Sequence, residues 1–133
     1  MQLLIFTIQQ QKYALHLKNV ERVLLALQYA MLPNAPEYVL GVINFHEKII
    51  PVINTRQFLS LEAKPIEAED RLILYHAKDE LIALLVDHVE IANFSNEALT
   101  PNPSAIQCLL KEEEITLLCD LEKLLPNHLL PQG

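Results

Sequence analysis

Apolar residues in this chain come in short blocks broken by polar tips, a period that suits strands better than amphipathic helices. Residues 3–8 (LLIFTI) and 13–17 (YALHL) flank the polar stretch 9–11 and predict a first hairpin. Residues 18–21 predict one helical turn, and 22–30, rich in Val, Leu and Tyr and stopping before Pro33, predict a third strand. Pro33 and Pro36 punctuate a turn, leaving 35–39 too short for more than a single helical turn. Gly41, the only glycine besides Gly133, opens a strand over 42–45, His46-Glu47 forms a polar tip, and the run 49–53 completes a second hairpin. Residues 54–59 predict a short helix capped by Asn54, whose side-chain oxygen accepts from a backbone N–H that has no partner within the helix.

The polar, acidic stretch 60–70 around Pro65 has no apolar periodicity and marks a natural boundary. Beyond it, 71–77 and 81–86 predict a hairpin around 78–80, Asp87 is expected to cap the turn that follows, and 90–94 reads as a strand. Residues 95–104, with Pro101 and Pro103, predict a loop. Residues 106–111 and 115–119 then predict a last hairpin around Glu112, Glu113 and Glu114, and 120–125 a short helix ended by Pro126.

The chain repeats itself. Residues 13–21 lie over 82–90 at an offset of 69, and 49–59 lie over 115–125 at an offset of 66, which sets Asn54 over Asp120. Ten short strands in two matched sets of five predict an all-β fold with short helices. Its form is two five-stranded SH3- or OB-like β-barrel lobes packed together, closed so that no sheet edge is left exposed. One domain is expected over 1–133, with a first half of about 1–60, a second of about 71–133 and a linker over 60–70.

Composition narrows the function. Apolar residues make up 51% of the chain and charged residues 20%, which describes a well-packed globular protein whose apolar surplus points to a buried partner face. A net charge of −7 argues against nucleic acid, which requires clustered Lys and Arg. Runs such as 3–6 and 81–86 fall far short of a membrane span, so no direct insertion is expected. No basic residue precedes the first apolar run and no small-residue cleavage site follows it, so the chain reads as cytoplasmic. Cys108 and Cys119 are too few for a disulfide framework and read as two reduced, buried thiols. A turn at Glu113-Glu114 would instead set them opposite each other across the last hairpin, and the second reading is a redox-sensitive bridge.

No catalytic constellation is present. Two glycines leave no room for a phosphate-cradling loop or a G-x-S-x-G elbow. His16, His46, His76, His88 and His128 have no metal-ligand spacing, and helix capping accounts for Asp87 and Asp120. The chain is therefore read as neither an enzyme nor a cofactor or metal protein.

The central segment P-x-x-P-x-x-x-x-G-V-I-N over 33–44, followed by a polar turn and I-I-P-V-I over 49–53, resembles the signature of the CheW-like domain family. Ile82-Ala83-Leu84-Leu85-Val86-Asp87 and Leu117-Leu118-Cys119-Asp120-Leu121 extend the resemblance over nearly the whole chain. It implies two barrel lobes packed face to face with strands exchanged, so that lobes and sequence halves need not coincide. It also implies a non-enzymatic adaptor that couples a CheA-like histidine kinase to a chemoreceptor, in chemotaxis or pilus-driven motility, at membrane-associated receptor arrays. In the family, one lobe packs on the kinase's regulatory domain, itself CheW-like, and a groove between lobes takes the receptor's cytoplasmic hairpin tip.

The resemblance places the partner surface at Val20, Arg22, Val42, Ile43, Asn44, His46, Glu47 and Lys48. On apolar type alone, Val20, Val42 and Ile43 read equally well as core. Two departures alter the local charge. The family's central turn reads N-L-R-G where this chain has Asn44-Phe45-His46-Glu47, and near Val20 its V-x-E is replaced by Val20-Glu21-Arg22, so that a cation stands where a carboxylate is expected. Exchanging a guanidinium fork for an imidazole weakens bidentate carboxylate recognition at neutral pH. The plain alternative for His46 is an exposed turn residue with no partner. Two other readings remain: a small-molecule sensor using the groove between lobes, and an orphan family member serving another motility pathway.

Overall fold

Four strands in this protein are apolar on both faces, and that property sets the architecture. The computed structural model describes residues 1–26, 29–31, 33–62, 64–77, 79–94, 106–111 and 113–121, with 106, 107 and 111 described by backbone alone. The strands in chain order are β1 (Gln2–Ile8), β2 (Gln11–His16), β3 (Val20–Leu25), β4 (Val39–Phe45), β5 (Lys48–Ile53), β6 (Arg71–Ala77), β7 (Glu80–Val86), β8 (His88–Asn93), β9 (Ile106–Lys111) and β10 (Glu114–Cys119). A 3-10 turn, Leu17–Asn19, separates β2 from β3, and one short helix, α1 (Thr55–Phe58), follows β5.

The strands form two five-stranded sheets, ordered β8-β1-β2-β10-β9 and β3-β6-β7-β5-β4. Moving every strand five places along the chain turns one order into the other. The parallel contacts agree residue by residue: Leu118 lies opposite Ala14 in the first sheet, and Val52 lies opposite Ala83 in the second. These are the positions related by the sequence offsets of 66 and 69. Each lobe thus takes a hairpin from one half of the chain and three strands from the other.

Alternation along the two hairpins divides the core into three. On β1, Leu3 and Ile5 pack inside the first lobe with Ala14, Leu109 and Leu118, whereas Leu4, Phe6 and Ile8 face the second lobe. On β6, Leu72 and Leu74 pack inside the second lobe with Ile43, Ile50 and Val52, whereas Ile73, Tyr75 and Ala77 face the first. The inter-lobe cluster, which also holds Tyr13, Leu15, Ile82, Leu84 and Val86, is larger than either lobe's own core among the described residues. Each such side chain, fully buried, contributes about 1.5–3 kcal/mol. Burial on both sides is why these strands read as unbroken apolar runs.

The lobes are curved sheets more than fully closed barrels. Mutual 2.8 Å hydrogen bonds between Ala30 and Val42 join the free ends of the second sheet. No ladder joins β8 to β9 among the described residues, and the expected loop over 95–104 lies outside them. β4 begins at Val39, ahead of Gly41, and α1 is capped as expected, with the Asn54 side chain accepting from the Gln57 N–H. The helix expected over 120–125 lies outside the described residues beyond its first positions.

Three sequence expectations are corrected. The last hairpin turns one residue earlier than Glu113-Glu114, so Cys108 lies opposite Leu117 and Cys119 opposite Ile106. The two thiols are diagonal, not facing, and the bridge has no geometry to form; only Cys119 is buried, while Cys108 is exposed. Burial pushes the Cys119 thiol up to about 12. Its folded value lies above the unfolded one, so the native state keeps this proton longer; its effect on stability is level below about pH 8.5 and turns unfavourable as pH rises toward 12. A thiol reagent at pH 8 is expected to label one cysteine in the native protein and both in denaturant. Rapid labelling of two in the native state would refute this burial.

Asp87 caps no turn. It sits between β7 and β8, where the chain crosses from one lobe to the other. Its carboxylate accepts from Arg56 Nη2 at 2.8 and 2.9 Å and from the Gln9 N–H at 3.2 Å. Its own N–H donates to the Thr7 carbonyl at 3.1 Å. Arg56, on α1, also donates to the Glu62 carbonyl at 3.3 Å, and Lys64 bonds Asp70 at 2.9 Å. One carboxylate thereby joins the β1–β2 turn, α1 and the connector 60–70.

Candidate partner-binding groove

The mouth of the second lobe is a ring of strand ends: the start of β3, the end of β6, the start of β7 and the β4–β5 tip. They enclose an open groove of about 710 Å³. Its floor is apolar, with Phe45, Ile49, Pro51 and Leu81 lining it, and Ile49 is 61% exposed. Open apolar surface of this kind, rimmed by charge, is a mark of interaction sites.

Cations and carboxylates around the rim come mostly from different strands. The Arg22 guanidinium lies 5.5 Å above the Phe45 ring, and His46 meets the same ring edge-on at 4.2 Å. With Lys48 these residues make a basic arc across the seam between β3 and β4. Asp79 and Glu80, at the β6–β7 turn, lie on the other side. Between the arcs, His76 Nε2 stands 3.2 Å from Glu21 Oε2. A bulge in the β3–β6 ladder between Val20 and Arg22 brings Glu21 and Arg22 both to the groove. The carboxylate that seemed displaced by Arg22 is thus present beside it.

The duplicate position in the first lobe is different. Its mouth encloses about 190 Å³ and is crossed by Lys12, whose ammonium lies 3.2 Å from both Glu90 and Glu114. The bond to Glu90, then that to Glu114, raises the lysine's pKa, so the clamp stays charged through neutral pH. In the second lobe the repeat places Leu81, Glu21 and Lys48 at these positions, where no such clamp can form. The first mouth carries an ion-paired lysine where the second carries an apolar leucine. A third, small cavity of about 110 Å³ lies beside Arg56, Lys64, Asp70 and Asp87. Between the lobes themselves the space around Phe6, Tyr13 and Ile73 is filled by the apolar cluster, so the open groove lies at the mouth of one lobe and not between the two, where the resemblance sets the receptor groove.

Of the residues singled out in the sequence, Arg22, His46 and Lys48 come together in the groove. Asn44 and Glu47 are exposed at the tip but do not line it, Val20 packs against the inter-lobe cluster, Val42 is half-buried opposite Pro51, and Ile43 belongs to the second lobe's core. Sequence reasoning missed Glu21, His76, Asp79, Glu80 and Leu81. The signal was in the repeat: Leu81 and Lys48 align with Lys12 and Glu114, the two clamp residues that changed, while Glu21 keeps the carboxylate of Glu90. His46 and Glu47 hold φ of 50° and 66°, the left-handed region that the family's glycine would occupy at lower cost.

No cluster of metal-ligating side chains is found among the described residues, and no helix there is long and apolar enough to cross a membrane.

The sequence model of the CheW-like domain family matches residues 2–128. The chain is 24% identical to a chemotaxis protein CheW of Helicobacter pylori over 76% of its own length and 62% of that protein's. It is 24% identical to a chemotaxis protein CheW of Klebsiella aerogenes over 94% and 81% of the two lengths. It is 30% identical to the protein PilI of Pseudomonas aeruginosa over 67% and 53%. The fold matches that of a scaffolding protein, TtCheW, from Thermoanaerobacter tengcongensis, with a TM-score of 0.87 over 97% of this chain and 96% of that one, at 21% identity.

Proposed function

Because the chain belongs to the CheW-like domain family, we propose that it is a non-enzymatic adaptor linking a CheA-like histidine kinase to a chemoreceptor or receptor-like input, in chemotaxis or pilus-driven motility. The observation that carries this reading is the open groove at the mouth of the second lobe. It has the apolar floor and charged rim of a protein-binding surface, and it gathers three of the residues the family resemblance assigns to the receptor. The kinase's regulatory domain, itself CheW-like, has matching lobes to set against these.

The guanidinium absent from the central turn has a substitute. Arg22, held over Phe45 next to His46, presents the same fork to the groove from β3. Receptor binding on this reading survives the loss of the turn arginine, and His46→Arg is expected to tighten it by about two- to fivefold through a third cation.

Calorimetric titration with the regulatory domain of a CheA from the same bacterium, followed by a soluble receptor-tip fragment, tests the proposal. Micromolar binding of both is expected. A kinase domain that fails to bind would leave the fold without the adaptor role. An unchanged receptor affinity in His46→Arg would remove the turn from the contact.

A further inference from the structure

We infer that the second-lobe groove reads the polarity of its ligand: it takes a receptor-tip segment that carries carboxylates at one end, an apolar contact in the middle and cationic side chains at the other. This deepens the adaptor reading and rests on it. Arg22, Lys48, Asp79 and Glu80 form no ion pair with any described residue, although all four line one groove. Two cations, from β3 and β5, and two carboxylates, from the β6–β7 turn and the start of β7, therefore line one apolar-floored mouth unpaired, with the Glu21–His76 contact between Arg22 and the turn.

The first-lobe mouth is the internal control. There the chain satisfies its own charges, with Lys12 set between Glu90 and Glu114. In the second lobe the charges are left for a partner. A uniformly acidic segment would be attracted by Arg22 and Lys48 but repelled by Asp79 and Glu80, and a uniformly basic one the reverse. Only a segment polarised along the groove complements both arcs, and it does so in a single direction, which fixes its orientation.

The test is calorimetry of the full chain with the soluble receptor-tip fragment at about 0.1 M salt, where charges within a Debye length still act. Three proteins are compared: the wild type, Arg22→Glu/Lys48→Glu and Asp79→Lys/Glu80→Lys. Each double reversal is expected to weaken binding about tenfold or more, since like charges then meet. All four side chains lie at the rim, so the melting temperature checks folding, and the neutral pairs Arg22→Gln/Lys48→Gln and Asp79→Asn/Glu80→Gln replace any reversal that unfolds. If Asp79→Lys/Glu80→Lys binds equally or more tightly while the basic reversal binds less, the ligand is uniformly acidic and the inference is overturned with the adaptor reading intact. If neither reversal matters, the charges play no part and the inference also fails. If the wild type does not bind the fragment, receptor coupling itself falls and the inference falls with it.

Discussion

Gly41→Ala is expected to destabilise the protein by about 3 kcal/mol, the upper range for forcing atoms into a packed site. The reason is not backbone freedom, since Gly41 does not occupy the left-handed region. A Cβ at this position would run into the Ala30 carbonyl oxygen and come within 2.6 Å of the Tyr29 ring and 2.9 Å of the Ala30 carbonyl carbon. Most of that obstacle is main chain, so no rotamer change relieves it. Ala30 is also the residue whose paired hydrogen bonds with Val42 join the ends of the second sheet. To admit the methyl group the seam must open along β4, the strand that carries Phe45 to the groove. A fall of about 10 °C in Tm is expected for a chain of this size, together with faster amide exchange at Ala30 and Val42. A variant melting within about 2 °C of the wild type would mean that the seam is not a close backbone contact.

This glycine also illustrates how much of the fold was legible. A lone glycine flanked by apolar runs marks a close approach, and the sequence pattern placed it in the right hairpin. What it approaches was not legible, because Ala30 lies eleven positions away at the end of the strand expected over 22–30, and nothing in the pattern pairs that end with the central hairpin. The repeat offsets were legible for the same reason that the lobes are equivalent: Leu118 on Ala14 and Val52 on Ala83 are one contact made twice. The hairpin register at Cys108 and Cys119 was not, because three successive glutamates leave several turns chemically equal.

At the groove, sequence reasoning found one arc of the rim and missed the other. His46 and Lys48 belong to the stretch that carries the family resemblance and Arg22 to the Val20 turn where the chain departs from it, whereas Asp79 and Glu80 sit in an ordinary polar turn and gain meaning only when β6 and β7 bring that turn to the same mouth. A difference between duplicates proved more informative than their likeness. Where Lys12 sets an ion-paired charge in the first mouth, Leu81 gives the second an apolar lining.

Arg56 and Asp87 were the deeper omission, and they carry the second large effect. Asp87 read as a cap because it follows a strand, and Arg56 as one polar residue of a short helix. Its repeat partner Glu122 was the signal, a reversal of charge at an otherwise matched position. Asp87→Ala is expected to cost about 3 kcal/mol, the lower range for removing one member of a buried ion pair. The low end applies because the Asp87 side chain is 28% exposed and Lys64 stands 3.9 Å away, so water and a second cation already share the carboxylate. The guanidinium is the more buried partner, 11% exposed, and without Asp87 it would be left with the Glu62 carbonyl alone. Arg56→Met should cost less, since the carboxylate it strands keeps the Gln9 N–H and a route to solvent. The double variant Arg56→Met/Asp87→Leu, with neither charge left to strand, should be more stable than the sum of the single losses predicts by about 1–3 kcal/mol. Urea unfolding of the four proteins measures that coupling. Strict additivity would mean that the two side chains act independently, and that apolar packing around Phe6, Tyr13 and Ile73 holds the lobes together without an ionic clasp where the chain passes between them.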